Sequence, residues 1–152
     1  MPQADDRFDH VMARLIDERW QDVWKAIPVA VAGDDPEGVH DVRVASRRLR
    51  AAMDVASDLF PASWYRPLHK MAKRITSELG EVRDRDVQIE YFTNVRGAAA
   101  PGDQPGIDRL IARLTAEREE ARQHMLAFLD DLEETGLQQE VSNRFGQRER
   151  SS

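Results

Sequence analysis

Cysteine is absent from the 152-residue chain, which excludes a disulfide framework and any Cys-ligated metal site and permits a reducing compartment. Long apolar runs are absent too, since no stretch approaches the roughly 18 apolar residues that a membrane span needs. Met1-Pro2-Gln3-Ala4-Asp5-Asp6 is acidic and polar, not a cationic n-region leading into an apolar segment. A cytoplasmic protein without membrane association is the expectation. The chain also lacks a phosphate-cradling glycine loop, a carboxylate cluster at metal-ligand spacing and an activated nucleophile, so neither an enzyme of phosphoryl transfer or hydrolysis nor a cofactor or metal is expected.

Strand alternation is missing as well, and helical periodicity fills the space. Phe8, Val11, Met12, Leu15, Ile16, Val23 and Ile27 mark a first helix, perturbed at Pro28 and ended by Gly33-Asp34-Asp35-Pro36. A second runs from about Pro36-Glu37 to Phe60, where Pro61 stops it. A third covers Trp64 to Leu79 with Gly80 as its C′ residue, and a fourth covers Val82 to about Val95. After a loop at residues 97–106, a last long helix runs from Ile107 to about Glu134, closed by Gly136. The size is that of one domain. The fold class is therefore all-α, an antiparallel bundle of about four to five helices over residues 5–135. Residues 1–4 are expected to be disordered. Residues 136–152 are expected to hold a short amphipathic segment and a disordered tail.

Within the second helix the residue types are sorted by angle. His40, Arg43, Arg47, Arg48 and Arg50 form one basic face, whereas Val42, Leu49, Met53 and Phe60 fall on the opposite side at 100° per residue. Few acids interleave, Asp41 and Asp54 being the only ones before Asp58. An ordinary solvated helix face mixes its signs at i, i+4. The third helix repeats the sorting, with Arg66, His69, Lys70, Lys73 and Ser77 on one side and Leu68, Met71, Ile75 and Leu79 on the other. Two antiparallel helices with matched basic faces can line a shared groove. The alternative is that each face is separately solvated. Net charge is −6, yet His40 to Arg85 holds ten Lys or Arg against six Asp or Glu, so a basic strip sits on an acidic body.

The last helix carries Arg118 in the middle of its apolar stripe and Arg122 at the edge. A guanidinium placed there needs a partner or a polar cavity. Arg118 either bridges to an acid such as Asp84 or Asp86 or points into the basic cavity. Asp84 and Asp86 do not share a helical face and have no histidine at ligand spacing, so ion pairs holding nearby arginines suit them better than a metal or acid-base role.

The run from His40 to Arg50, followed by Leu79-Gly80-Glu81-Val82-Arg83-Asp84-Arg85-Asp86-Val87, resembles the CHAD family, named for its histidine-bearing α-helical domain. The resemblance implies an antiparallel helical fold that binds inorganic polyphosphate through a basic surface without catalysis. By motif position, His40, Arg43, Arg47, Arg48 and Arg50 match the histidine-arginine helix, Lys73 a basic position before Leu79-Gly80, and Arg83, Asp84 and Asp86 the arginine-aspartate motif. Arg66, His69 and Lys70 are added from the helical wheel, and Arg118 and Arg122 from their position in the last helix. Family members commonly hold two such bundles in tandem, whereas this chain has one copy of each motif. A homodimer rebuilding the two-bundle arrangement is expected, the alternative being a single bundle with an open, weaker site.

Arginine forks and mobile lysines suit a ligand that is all phosphate. A polyanion beside His40 and His69 favours their protonated forms, so tighter binding is expected as the pH falls towards 6, unless both are core or cap histidines. RNA is the alternative ligand, although the basic faces carry no aromatic platforms and Trp64 and Tyr65 lie just outside them. A scaffold recognising an acidic partner is a further alternative. Association with polyphosphate granules is left open.

Overall fold

Breaks in the apolar periodicity end most of the helices in a computed structural model, which describes residues 2–146 and the side chains from residue 7 onward. The elements are α1 (Pro2–Ala32), α2 (Glu37–Val55), a 3-10 turn (Ser57–Leu59), α3 (Ala62–Ala98), α4 (Gln104–Glu134), α5 (Leu137–Val141) and a π turn (Ser142–Gly146). No strand occurs among the described residues. The fold is an all-α bundle in which each long helix packs on its neighbour in the chain, α1 on α2, α2 on α3 and α3 on α4.

The apolar stripes do what their spacing predicts. Ile16, Trp20 and Val23 of α1, Val42, Leu49 and Met53 of α2, and Leu68, Ile75 and Leu79 of α3 are almost wholly removed from water. Burying each such side chain is worth about 2 kcal/mol, which is why amphipathic helices of unexceptional propensity hold here. Gly33, in the left-handed region at φ 76°, turns the chain out of α1. Gly38 lets α2 close on α1, because a β-carbon there would stand 2.9 Å from the backbone of Val29 and Ala30.

Several boundaries differ from the sequence expectation. Gly80 does not cap a helix, and the two helices expected on either side of it are the single 37-residue α3. Leu79 and Val82 are both fully buried across the glycine, and that packing outweighs a helical glycine's cost of about 1 kcal/mol. α2 ends five residues before Phe60, which instead joins an aromatic cluster with Trp64, Tyr65 and Phe145. α1 begins at Pro2, so its helical backbone takes in residues 2–4, and proline suits a first turn.

The core also runs past residue 135. Leu137, Val141 and Phe145 are buried, and the Phe145 ring meets Phe60 edge-on at 5.5 Å, so residues 137–146 close one end of the bundle. The expected tail at residues 147–152 and Met1 lie outside the described residues. At the other end, α3 outruns α2, and its last residues form a two-helix arm with the first part of α4. Arg96 pairs with Asp108 near the tip of this arm, and Leu114 is its one buried side chain beyond Val82 among the described residues.

Candidate anion site at the α2–α3 seam

A buried hydroxyl pair fixes the register of α2 against α3. Ser46 Oγ and Thr76 Oγ1 lie 2.8 Å apart, while Ser46 Oγ is 2.9 Å from the Arg43 carbonyl and Thr76 Oγ1 is 3.1 Å from that of Ala72. Each hydroxyl has a single proton, so one donates across the seam while the other donates to its own helix. Small polar side chains at this crossing leave the larger cations at its solvent edge.

Along that edge the antiparallel register brings the two basic faces together. On α2 the order is His40, Arg43, Arg47, Arg50 and Asp54; on α3, running the other way, it is Asp84, Gly80, Lys73, His69 and Arg66. Arg43 lies across Gly80, its Nε 3.5 Å from where a β-carbon would stand, and its Nη1 is 3.8 Å from Asp84 Oδ1. Arg83 reaches Glu37 at 3.9 Å where α2 begins. Towards the other end, His69 Nε2 is 2.6 Å from Asp54 Oδ1. Tyr65 sits below that pair and donates to the Met53 carbonyl at 2.7 Å. Burial, with Asp54 nearby, pushes the Tyr65 hydroxyl well above the usual phenol range, which keeps it a donor.

The basic residues of the seam fall into two groups. Arg43, Arg83 and His69 are partly shielded and tethered to acids. Arg47, Arg66, Lys70 and Lys73 are exposed and have no ion-pair partner among the described residues. Arg50 is half-buried, with an Nε that meets no acceptor, as does the Nε of Arg43. His40 is half-buried at the start of the row.

Three cations expected in the groove stand elsewhere. Arg48 is exposed but about 160° around α2 from Arg50, away from α3. Arg118 pairs with Asp86, joining α4 to α3. Arg122 donates from Nη1 to the Ala30 carbonyl at 3.1 Å and from Nη2 to the Val31 carbonyl at 2.8 Å, satisfying carbonyls that the end of α1 leaves unbonded. Gly33 makes room for that guanidinium, since a β-carbon there would meet it at 2.5 Å. α4 packs on the flank of α3, and this is why its arginines serve the scaffold.

Sequence reasoning missed Gly80 and Asp54. An isolated glycine in a helical pattern reads as a cap, and Asp54 reads as one of two acids on a basic helix; only the helix crossing gives each its partner. The described residues hold no group of three or more His, Asp or Glu side chains placed to bind a metal ion. No described helix is long and apolar enough to cross a membrane.

A family model described as the CHAD domain matches residues 14–152. No curated protein and no solved structure matches the chain.

Proposed function

The chain belongs to the CHAD family, and from that membership we propose that it binds inorganic polyphosphate along the α2–α3 seam, as a binding protein and not an enzyme. The observation that carries the reading is the row of exposed cations Arg47, Arg66, Lys70 and Lys73, without an ion-pair partner among the described residues and contributed by both walls of one seam. Arg50 and His40 extend the row. Arg43 and Arg83 supply cations set close to Asp84 and Glu37, and His69 supplies a ring nitrogen set close to Asp54. A ligand of repeated phosphates needs repeated donors at intervals, and a helix edge supplies them turn by turn.

RNA is the weaker reading because the aromatics nearest the seam are committed inward. Tyr65 is buried, and Trp64 packs on Phe145 at 5.5 Å beneath Arg144. Neither offers a stacking platform. In this proposal a second basic seam, which family members draw from a second bundle, comes from a second copy of the chain. The homodimer is tested by mass in solution.

The deciding experiment titrates long-chain polyphosphate and single-stranded RNA at matched phosphate concentration across a salt series. Polyphosphate should bind more tightly, with affinity falling steeply as salt rises. Equal affinity marks a generic anion binder, and tighter RNA binding overturns the reading.

A further inference from the structure

The side of the bundle opposite the α2–α3 seam is the one between α1 and α4, the first and last of its long helices. It is bridged at one end, where Arg122 reaches the Ala30 and Val31 carbonyls, and flanked at the other by Gln138 of α5. Between these lies a trough made of two adjoining cavities of about 500 and about 200 Å³. Its apolar walls come from Trp24, Ile27 and Val31 on α1 and Leu126 on α4. Val31 is 43% exposed, and the other three are only partly buried. Val31 is thus the one exposed side chain of these four, and the other three continue the floor of the trough into the core.

Two further features give the trough a chemistry. Asp130 and Glu133 are the only charged residues that line it; both are exposed and neither has an ion-pair partner among the described residues. Pro28, on the α1 wall, lacks the amide that a regular helix would donate to the Trp24 carbonyl. Beyond the Arg122 bridge at its end, whose guanidinium is taken up by the Ala30 and Val31 carbonyls, the trough is an apolar bed with two acids at its margin, complementary to apolar residues flanked by cations.

We propose that this trough docks a basic amphipathic helix of a partner protein. From Trp24 to Val31 the α1 wall is about two helical turns long, which suits apolar anchors at i, i+4 and i+7 with Lys or Arg along the edge facing Asp130 and Glu133. The site lies across the bundle from the basic seam and does not depend on what the seam binds. A partner held there leaves the seam open, so the chain would join a cationic protein on one side to an anion on the other.

The test uses a fluorescein-labelled 14-residue Leu/Lys amphipathic peptide and a scrambled peptide of the same composition, each titrated without polyphosphate against the full chain. The amphipathic peptide should bind at least about tenfold more tightly than the scrambled one. Asp130→Lys with Glu133→Lys, and separately Val31→Glu, should each weaken it about tenfold or more. Asp41→Lys with Asp58→Lys, which reverses two exposed acids elsewhere, should change it less than about twofold. The proposal is overturned if the two peptides bind alike, if the control pair weakens binding as much as the trough variants, or if Val31→Glu instead abolishes self-association, which would make a second copy the occupant. Arg47→Glu with Lys73→Glu should leave peptide binding intact while weakening polyphosphate binding, so failure of one reading is distinguishable from failure of the other.

Discussion

The guanidinium of Arg43 lies over Gly80, in ordinary van der Waals range of the missing β-carbon, and is paired with Asp84 one turn further along α3. One helix thus leaves a gap, the other fills it with a cation, and a carboxylate holds the cation there. The Asp84 side chain is 56% exposed, so the pair itself contributes little to stability, about 0–1 kcal/mol. Its role is positional.

Substitutions at Gly80 should therefore separate stability from binding. Gly80→Ala adds a β-carbon at a tolerable 3.5 Å and improves helix propensity, so melting should rise by a few degrees with binding retained. Gly80→Leu puts a branched side chain where the guanidinium lies and should weaken polyphosphate binding several-fold. Calorimetry and a binding titration on the same preparations check both. Loss of binding in the alanine variant would show that Gly80 does more than seat Arg43.

The exposed cations should behave in the opposite way. Arg47→Ala and Lys73→Ala remove groups with no ion-pair partner among the described residues, so the melting temperature should hold within the effect of about 0.5 kcal/mol usual for a surface change. Each should lower polyphosphate affinity and reduce the slope of log affinity against log salt by roughly one ion. Arg48→Ala, on the far side of α2, should change that slope least.

What the sequence made legible was whatever a single helix encodes. The sorting of His40, Arg43, Arg47 and Arg50 away from Val42, Leu49 and Met53 is a matter of angle, and so is the matching pattern on α3. The fate of Arg118 and Arg122 is not, because a partner more than thirty residues distant in the chain decides it. Arg118 was legible as needing a partner, with Asp86 among the two acids it could meet. Nothing in the spacing shows that Arg122 reaches the end of α1. Gly80 misleads for a related reason: whether a glycine ends a helix depends on whether the apolar stripe on either side stays buried. The spacing of Leu137, Val141 and Phe145 marks a short amphipathic segment, but that Phe145 meets Phe60 and Trp64 is set by partners about eighty residues away.

Arg122 and Arg118 should prove structural. Arg122→Ala strips the donors from the Ala30 and Val31 carbonyls and should cost about 1–2 kcal/mol, read as a lower denaturation midpoint with an unchanged slope. Arg118→Ala leaves Asp86, whose side chain is only 13% exposed, without its cation and should cost about 2 kcal/mol or more. Adding Asp86→Asn to the Arg118 variant should recover part of that loss. Polyphosphate affinity, measured where both variants are folded, should stay within about twofold of the parent, and a larger loss would return these arginines to the site.

Tyr65 sets an alkaline limit. Its hydroxyl is buried, donates to the Met53 carbonyl and is pushed far above the phenol range, chiefly by burial and secondarily by Asp54. In the unfolded chain it titrates near 10. The folded state binds this proton more tightly than the unfolded state does, so the contribution is fully present below pH 10 and is lost progressively as the pH rises beyond it. Tyr65→Phe removes both the hydrogen bond and the titration. At pH 7 the variant should be less stable by about 1 kcal/mol. Its stability should then fall less steeply than the parent's between pH 9.5 and 11.5, so the two curves converge. Urea midpoints across that range test this, and a constant gap between the curves would mean that the hydroxyl can ionise in the folded protein.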